Sequence, residues 1–197
     1  MMLRSPCRLA LDAEGAAVVE FAIIAPVLLI GMMGMFDLGH NMYTASVLHG
    51  AIQKAARDST IEGAQGQQTV LDNRVKTMVN QIAPGANLLF ARKSYTTFSK
   101  VSQPEDFTDV NGNGACDNNE PFEDANANGS WDADMGRAGF GGARDAVMYE
   151  VTVTYKRPFP IAKLIGQSDE FTTVVKTVLR NQPYSPQSNP VTQGNCA

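Results

Sequence analysis

A run of apolar residues near the N-terminus, from Ala16 to Phe36, constrains what this chain can fold into more than any other feature. Glu20 is its one charged residue, and no Lys or Arg occurs between Arg8 and Lys54. A helix of about 20 apolar residues crosses the hydrocarbon core of a bilayer. A secretory signal peptide has a shorter apolar core followed by a small-residue cleavage site, and the run shows neither. We therefore predict that this run is a transmembrane helix.

The charges that flank the run predict its orientation. Arg4 and Arg8 precede it, and positively charged residues favour the cytoplasmic side of a membrane. We therefore expect the N-terminus in the cytoplasm and the rest of the chain on the other side. The predicted organisation is a leader at 1–15, the transmembrane helix at 16–36 and an outer domain at 37–197, which carries an acidic insertion at 104–136.

Glu20 lies near the start of the span, where an unpaired carboxylate is costly. One interpretation is that it stays hydrated at the lipid headgroups. Alternatively, cleavage after Gly15 would make Ala16 the N-terminus, and the new amine would lie one helical turn from Glu20. The carboxylate would then neutralise that amine, or the amine of a neighbouring subunit. A buried charge with a partner is less costly than one without.

The residues around Gly15 carry a recognisable pattern, EGAAVVEFAIIAPVLL from Glu14 and MFDLG from Met35. Over residues 14–45 this pattern resembles the TadE family, the pseudopilins (minor pilins) of tight-adherence, Flp-type pilus systems. The resemblance implies cleavage between Gly15 and Ala16 by a prepilin peptidase. It also implies a role for Glu20 in processing or assembly.

The same resemblance implies partners and a location. The partners would be the prepilin peptidase and other pilin or pilus-assembly subunits. The protein would be single-pass in a bacterial inner membrane, with its C-terminal domain in the periplasm or, within a pilus, outside the cell. Its implied function is pilus assembly and adhesion.

Helical periodicity continues beyond the span, so we predict one rod from about Ala16 to Ile61 that packs against the outer domain. A second helix should follow and end at Pro84-Gly85. The expected apolar face of the rod is Leu38, Met42, Ala45, Leu48, Ile52 and Ala55, and that of the second helix is Leu71, Val75, Met78 and Ile82.

Three later segments read as strands: Asn87–Ser99, Val147–Tyr155, which alternates apolar and polar residues, and Phe171–Leu179. The tail from Asn181 contains three prolines and is predicted to be a loop. The predicted fold class is α+β: a long N-terminal membrane-spanning helix extends into a small domain with a second helix and an antiparallel sheet of about three strands.

The insertion contains nine acidic residues between Glu105 and Asp134 and no Lys or Arg. Within it, residues 109–120 match the EF-hand loop pattern D-x-[DN]-x-[DN]-G-x5-E at every defined position. Oxygen ligands at alternate positions, with a glycine that folds the loop back, suit Ca²⁺. The expected ligands are Asp109, Asn111, Asn113, the backbone carbonyl of Ala115, Asp117 and Glu120.

The pattern restarts fifteen residues later, but Met135 at the twelfth position cannot bind Ca²⁺, and Asp134 would have to substitute in a shifted register. Pro104–Asp109 is echoed in Glu120–Asp124, so the insertion is a short duplication, similar to the calcium loops of dockerins and thrombospondin-type repeats. Pro104 and Pro121 leave no room for the flanking helices of an EF-hand. The expected ligands of the second loop are Asp124, Asn126, Asn128, Ser130 and Asp132.

Two interpretations of the insertion stay open. Bound Ca²⁺ would be structural and would order the insertion, whereas without a cation it would be a flexible, solvated acidic linker. For the whole protein, the alternative to a pilus subunit is a bitopic membrane module with an uncleaved anchor, which binds Ca²⁺ in adhesion or sensing. Cys116 and Cys196 both lie on the predicted outer side, where they form a disulfide or remain free thiols.

Other functional classes lack support in the sequence. The chain has no nucleophile elbow, phosphate-binding loop or CxxC motif, so we expect no enzyme. The spacing of His40 and His49 does not suit a zinc site. The net charge of −4 gives no basic excess for nucleic acid. The glycine-rich stretch Gly136–Gly142 is predicted to be a flexible return from the insertion.

Overall fold

The computed structural model describes residues 14–61, 64–159, 161–164, 166–183 and 191–197. Most of the predicted leader, including Cys7, lies outside the described residues, as does Gly63. Within these ranges the helices are α1 (Glu14–Ser59), α2 (Gln68–Asn80) and α3 (Ile161–Leu164). The strands are β1 (Asn87–Tyr95), β2 (Pro121–Asp124), β3 (Arg137–Ala138), β4 (Ala146–Lys156), β5 (Glu170–Arg180) and β6 (Thr192–Asn195).

The chain divides into two compact units. The first unit combines the N-terminal part of α1, up to Met42, with the segment Arg157–Asp169. The second unit contains Tyr43–Lys156 and Glu170–Ala197, which include the rest of α1, α2, the strands and the acidic insertion.

Helix α1 is the one helix in the described part of the chain that is long and apolar enough to cross a membrane. None of its most apolar 18-residue stretch is buried by protein. Its 46 residues correspond to about 70 Å, more than twice the bilayer core of about 30 Å. Pro26 lies inside the helix without ending it. The predicted rod is therefore present, and it ends close to the predicted residue.

The buried face of α1 differs from the predicted one near the membrane. Leu48, Ile52 and Ala55 are buried as expected, but Leu38 and Met42 are 64% and 72% exposed. The buried residues on this stretch are polar and lie one position earlier: Asp37, Asn41 and Thr44. Hydrophobic periodicity cannot identify such a face, because a polar side chain is buried only where tertiary contacts supply its hydrogen bonds.

The three long strands β1, β4 and β5 lie side by side in an antiparallel sheet with the order β3-β1-β4-β5. Val151 on β4 lies opposite Phe90 on β1 and opposite Val175 on β5. The predicted α+β class, with a long helix, a second helix and three main antiparallel strands, is confirmed. The core of the second unit includes Leu48, Ile52 and Ala55 of α1, Val75 and Val79 of α2, and Tyr149, Val151 and Val153 of β4.

A buried arginine joins α2 to the sheet. Arg92 on β1 forms an ion pair with Asp72 of α2, and the Tyr149 hydroxyl donates to the same carboxylate at 2.8 Å. The Arg92 guanidinium also lies 4.1 Å from the centroid of the Tyr149 ring. Burial raises the pKa of Tyr149, so its phenol remains protonated and donates to Asp72.

Two segments predicted as loops contain strands. β6 pairs with β2, so the loop prediction for the tail from Asn181 was wrong at these residues. Gly194 permits this pairing, because a Cβ there would lie 2.5 Å from the Phe122 ring. The stretch Gly136–Gly142 contains β3, which pairs with β1, and the buried Phe140. Both strands pair with residues distant in the sequence, which local composition does not reveal.

Candidate functional site

The predicted cleavage site lies in the first turn of α1. A Cβ built on Gly15 would meet nothing within 4 Å, and Ala16 is exposed. Glu20 is exposed one helical turn later. Residues four apart share one face of a helix. An amine created at Ala16 would therefore lie on the same helix face as the Glu20 carboxylate.

The first acidic loop, residues 109–120, turns back on its first residue. Asp109 Oδ1 accepts the backbone N–H groups of Gly112 and Asn113 at 2.6 and 3.1 Å, and Oδ2 accepts that of Gly114 at 2.8 Å. Gly112 and Gly114 have φ angles of +73° and +77°. Glycine adopts this left-handed conformation without the steric cost of a side chain. The sharp turn predicted from the pattern is therefore present.

The Asp117 carboxylate accepts hydrogen bonds from three asparagine side chains of this loop, and the one from Asn118 Nδ2 is 2.7 Å long. Asn111 Nδ2 and Asn113 Nδ2 donate to its two carboxylate oxygens at 2.8 and 2.9 Å. The asparagine side-chain oxygens accept backbone N–H groups from Asn113 and Ala115 at 2.9 and 2.8 Å. The predicted ligands Asn111, Asn113 and Asp117 thus come together, and amide groups donate to the carboxylate that a bound cation would neutralise.

Glu120, at the twelfth position, closes the first loop. It is 3% exposed. Its Oε1 accepts the N–H groups of Val110 and Asn111 at 2.7 and 3.2 Å, and its Oε2 accepts that of Asp117 at 3.3 Å. One carboxylate therefore holds the beginning and the end of the loop together.

The second loop, residues 124–135, repeats this arrangement. Asp124 accepts the N–H groups of Asn128 and Gly129 at 3.1 and 2.8 Å. The side-chain amides of Asn126 and Asn128 donate to Asp132 Oδ2 at 2.7 and 2.6 Å. The same ligand positions therefore meet in both loops.

The backbone of the second loop also follows the first. Ser130 donates its N–H to Asn128 Oδ1 at 2.8 Å, as Ala115 does to Asn113. The fourth position, Ala127, has a φ of +62°, which corresponds to +73° at Gly112. A side chain in this conformation costs about 1–2 kcal/mol. Ala127 adopts it because the hydrogen bonds of the loop require it.

Glu105 supplies the carboxylate that the second loop lacks at its twelfth position. Its Oε1 accepts the N–H of Ala125 at 2.9 Å, and its Oε2 accepts that of Asp132 at 3.0 Å. These donors occupy the second and ninth positions of the loop, as Val110 and Asp117 do against Glu120. Glu105 is 1% exposed, so this carboxylate is buried.

The duplication explains this exchange. Glu105 precedes Asp109 by four residues, and Glu120 precedes Asp124 by four. Each repeat therefore contributes the acid that closes the loop of the other repeat. Sequence reasoning missed Glu105 because the EF-hand pattern looks for its acid downstream of the loop, although the echo between the two repeats contained the signal.

Asp134, the substitute predicted from the sequence, has other partners. It forms an ion pair with Lys93 Nζ at 2.6 Å and accepts the Tyr95 hydroxyl at 2.9 Å. Burial raises the pKa of Asp134, but the bonds from Lys93 and Tyr95 outweigh it, so the pKa lies below its usual value. Burial and the bond to Asp134 together raise the pKa of Tyr95 to about 12. Asp134 thus fixes the end of the insertion to β1.

Asp124 is ionised for a similar reason. Burial raises its pKa, but the backbone N–H groups of Gly129, Asn128 and Ala127 outweigh that effect, and the pKa lies below its usual value. Thr192 of β6 also donates to Asp124, at 3.3 Å. The first residue of the second loop is therefore a buried carboxylate that keeps its charge.

A disulfide joins Cys116 of the first loop to Cys196, with the two Cα atoms 5.4 Å apart. Next to it, the Cys196 N–H donates to the Glu120 carbonyl at 2.8 Å, and the Asn119 N–H donates to the Cys196 carbonyl at 3.1 Å. The C-terminal residues are thus tied to the insertion by one covalent bond and by backbone hydrogen bonds.

The donor set of the loops limits which cation they can hold. Among the described residues, no group of three or more His, Cys, Asp and Glu side chains is arranged to hold a metal ion. A cation in the first loop would therefore also need the oxygens of Asn111 and Asn113. Carboxylate, amide and carbonyl oxygens are the ligands that Ca²⁺ prefers, whereas Zn²⁺ prefers nitrogen and sulfur. By their chemical type, the oxygen donors of the loops therefore suit Ca²⁺ better than Zn²⁺.

Comparisons with known proteins bear on the N-terminal part. No curated protein and no solved structure showed a significant match to the chain. Residues 15–57 match the family model of TadE-like proteins, and this range contains Gly15, Glu20 and nearly all of α1. The resemblance to the TadE family predicted from residues 14–45 is therefore confirmed. The N-terminal segment of this chain is therefore similar to TadE-like proteins, and together with the apolar helix it supports a pilin-like membrane subunit.

Proposed function

We propose that this protein is a TadE-like pseudopilin, which a prepilin peptidase cleaves between Gly15 and Ala16 and which acts in pilus assembly and adhesion. The observation that carries the proposal is the match of residues 15–57 to the TadE-like family, over a helix whose most apolar 18-residue stretch is not buried by protein. The protein would be structural, with its N-terminus in the cytoplasm and its C-terminal domain in the periplasm or in a pilus.

The exposed surface of α1 supports an assembly role. Met35, Leu38 and Met42 are 76%, 64% and 72% exposed, although all three are apolar. They lie three or four residues apart, so they share one face of the helix. Exposed apolar residues that form a continuous surface mark interaction sites. This face would pack against the helix of another pilus subunit, while Glu20 neutralises the amine of Ala16 in that subunit or its own.

The first prediction concerns the N-terminus of the mature protein. We expect N-terminal sequencing of the protein from its native membrane to begin at Ala16, and deletion of the prepilin peptidase to restore Met1. Gly15→Leu should block cleavage, because the peptidase must bind the residue before the cut. Gly31→Leu is the matched control, since a Cβ on Gly31 would also meet nothing within 4 Å. An intact N-terminus in the presence of the peptidase would contradict the proposal.

That contradictory result would favour a second function. The protein would then be a bitopic membrane module that keeps its leader and uses the two acidic loops for Ca²⁺-dependent adhesion or sensing. The repeated arrangement of the two loops is the observation that favours it. Glu20→Ala separates the two functions further, because only a cleaved pilin needs Glu20 for assembly.

In either case we propose that Ca²⁺ stiffens the insertion. The ligands would be Asp109, Asn111, Asn113, the Ala115 carbonyl, Asp117 and Glu120 in the first loop. In the second loop they would be Asp124, Asn126, Asn128, the Ser130 carbonyl and Asp132, with Glu105 in the twelfth position. The cation would supply positive charge that neutralises the clustered carboxylates.

The second prediction follows from this role. Titration of the full chain in detergent micelles with Ca²⁺ should give heat with a dissociation constant of about 0.1–1 mM, as in extracellular calcium modules. At ten times that concentration each site should stabilise the fold by about 1.4 kcal/mol, which limited proteolysis would detect. Asp109→Asn should weaken binding. Asp106→Asn should not, because the exposed Asp106 contacts Lys100 outside the loops. Absence of both heat and protection would contradict calcium binding.

A further inference from the structure

In the first unit, a short segment after β4, residues 157–159 and 161–164, packs against the end of the membrane span. Ile161 Cδ1 lies 3.5 Å from the position of a Cβ on Gly34. The Phe159 ring stacks on Phe36 with the ring centroids 6.0 Å apart. Both contacts are to the last residues of the apolar run. The segment therefore lies beside the end of the apolar run, at the same height along α1.

Polar contacts hold the segment at this position along α1. Arg157 forms an ion pair with Asp37, the first charged residue after the span, and the Asp37 side chain is 5% exposed. Asn41 donates to the same Asp37 oxygen at 3.3 Å. The Arg157 N–H donates to the Asp169 carbonyl at 2.8 Å, which closes the segment on itself. These bonds fix the segment on the helix.

The position of the segment along α1 can be related to the position of the bilayer. The 21 residues from Ala16 to Phe36 rise about 31 Å as a helix, close to the bilayer core of about 30 Å. If the span fills the core, Phe36 lies at its edge and Asp37 lies among the headgroups. Side chains that pack on Gly34 and Phe36 must then meet the boundary between acyl chains and headgroups.

The exposed side chains of α3 suit that boundary. Leu164 is 65% exposed, although it is apolar. Lys163, which forms an ion pair with Asp169 at 3.0 Å, has a side chain that is 66% exposed. Lysine can bury its alkyl chain and keep its ammonium at the headgroups. Helices that lie in a membrane interface combine such basic residues with Leu and Phe on the other face.

We propose that residues 157–159 and 161–164 form a second membrane contact, a lipid-binding foot that lies in the bilayer interface at the Phe36 end of the span. The foot would bind the lipids of the bilayer and not another protein. The argument is the continuity of the foot with the span, whose last turns it contacts. The foot lies outside the TadE-like range of residues 15–57. It would limit how far α1 slides and tilts in the membrane.

The test is fluorescence quenching by brominated lipids on the full chain in nanodiscs. The background variant is Trp131→Phe, which removes the chain's single tryptophan, and Leu164→Trp then reports on the foot. We expect blue-shifted emission and strong quenching by lipids brominated near the headgroups, with weaker quenching by lipids brominated near the bilayer centre. If Leu164→Trp is unstable, Lys163→Trp repeats the measurement on the exposed face of α3.

Two further tryptophan variants serve as controls for the quenching measurement. Ile24→Trp, inside the span, should be quenched most by lipids brominated near the bilayer centre. Phe98→Trp, at an aromatic residue of the second unit that is 55% exposed, should not be quenched. Water-like emission of Leu164→Trp would overturn the proposal, and so would blue-shifted emission without quenching, which would mean that protein covers the foot. The result does not depend on cleavage at Gly15, so it is distinct from failure of the pilin function.

Discussion

Replacing both Cys116 and Cys196 by serine is expected to lower the free energy of unfolding of the second unit by about 4–5 kcal/mol. The disulfide joins residues that are 80 positions apart. Without it the unfolded chain gains the entropy of opening a loop of that length, which corresponds to about 4.5 kcal/mol. Urea denaturation of the full chain in micelles, followed by the fluorescence of Trp131, would measure the difference. Trp131 reports on the insertion because it packs edge-on against Phe107.

The control for the disulfide is Cys7→Ser, which removes a thiol from the predicted leader. It should not change the midpoint of urea denaturation. Reduction of the wild-type protein should reproduce the double variant. It should also expose the C-terminal residues to carboxypeptidase, because β6 would be held to β2 by hydrogen bonds alone. Equal midpoints with and without reductant would contradict the structural role assigned to the disulfide.

Glu105→Gln is expected to open the second loop at a cost of about 2–4 kcal/mol. The glutamine oxygen can replace one carboxylate oxygen, but its amide nitrogen would then face the N–H of Ala125 or Asp132, and that donor would lose its partner. A buried donor without a partner costs about 1–3 kcal/mol, and a charged acceptor is lost as well. Hydrogen exchange at Ala125 and Asp132 should become faster, and Ca²⁺ should bind the second loop more weakly.

Glu123→Gln is the matched control for Glu105→Gln. It makes the same chemical change in the same insertion, but Glu123 is exposed. Glu120→Gln should have the complementary effect and open the first loop at Val110 and Asp117. If Glu105→Gln leaves exchange at Ala125 and Asp132 unchanged, the reciprocal closure of the loops is wrong.

The features predicted correctly from the sequence depend on interactions between near neighbours. The run after Gly15 is long enough to span a bilayer whatever it contacts. The turns at Gly114 and Gly129 arise within loops of twelve residues, where each first aspartate bonds the backbone a few positions later. The strand β4 was visible because its alternation reflects one buried and one more exposed face. Such patterns appear in a short stretch of sequence.

The errors arose where residues far apart in the chain meet. Leu38 and Met42 had the correct period for a buried face, yet Asp37 is buried instead, because Arg157, 120 residues away, neutralises it. Asp134 was the nearest acid to the twelfth position of the second loop, but Lys93 and Tyr95 bind it. A buried charge requires a partner, and no local pattern indicates which partner is near.

The sequence by itself therefore determined the membrane helix, the motif at Gly15 and Glu20 that marks the TadE family, and the oxygen-rich positions of the two loops. Only the tertiary structure decided that Glu105 closes the second loop, that Cys116 meets Cys196, and that the foot packs on the end of the span. The physical reason is the range of the interactions. Helix periodicity and turn hydrogen bonds act within a few residues, whereas burial of a carboxylate or pairing of two cysteines depends on segments that only the folded chain brings together.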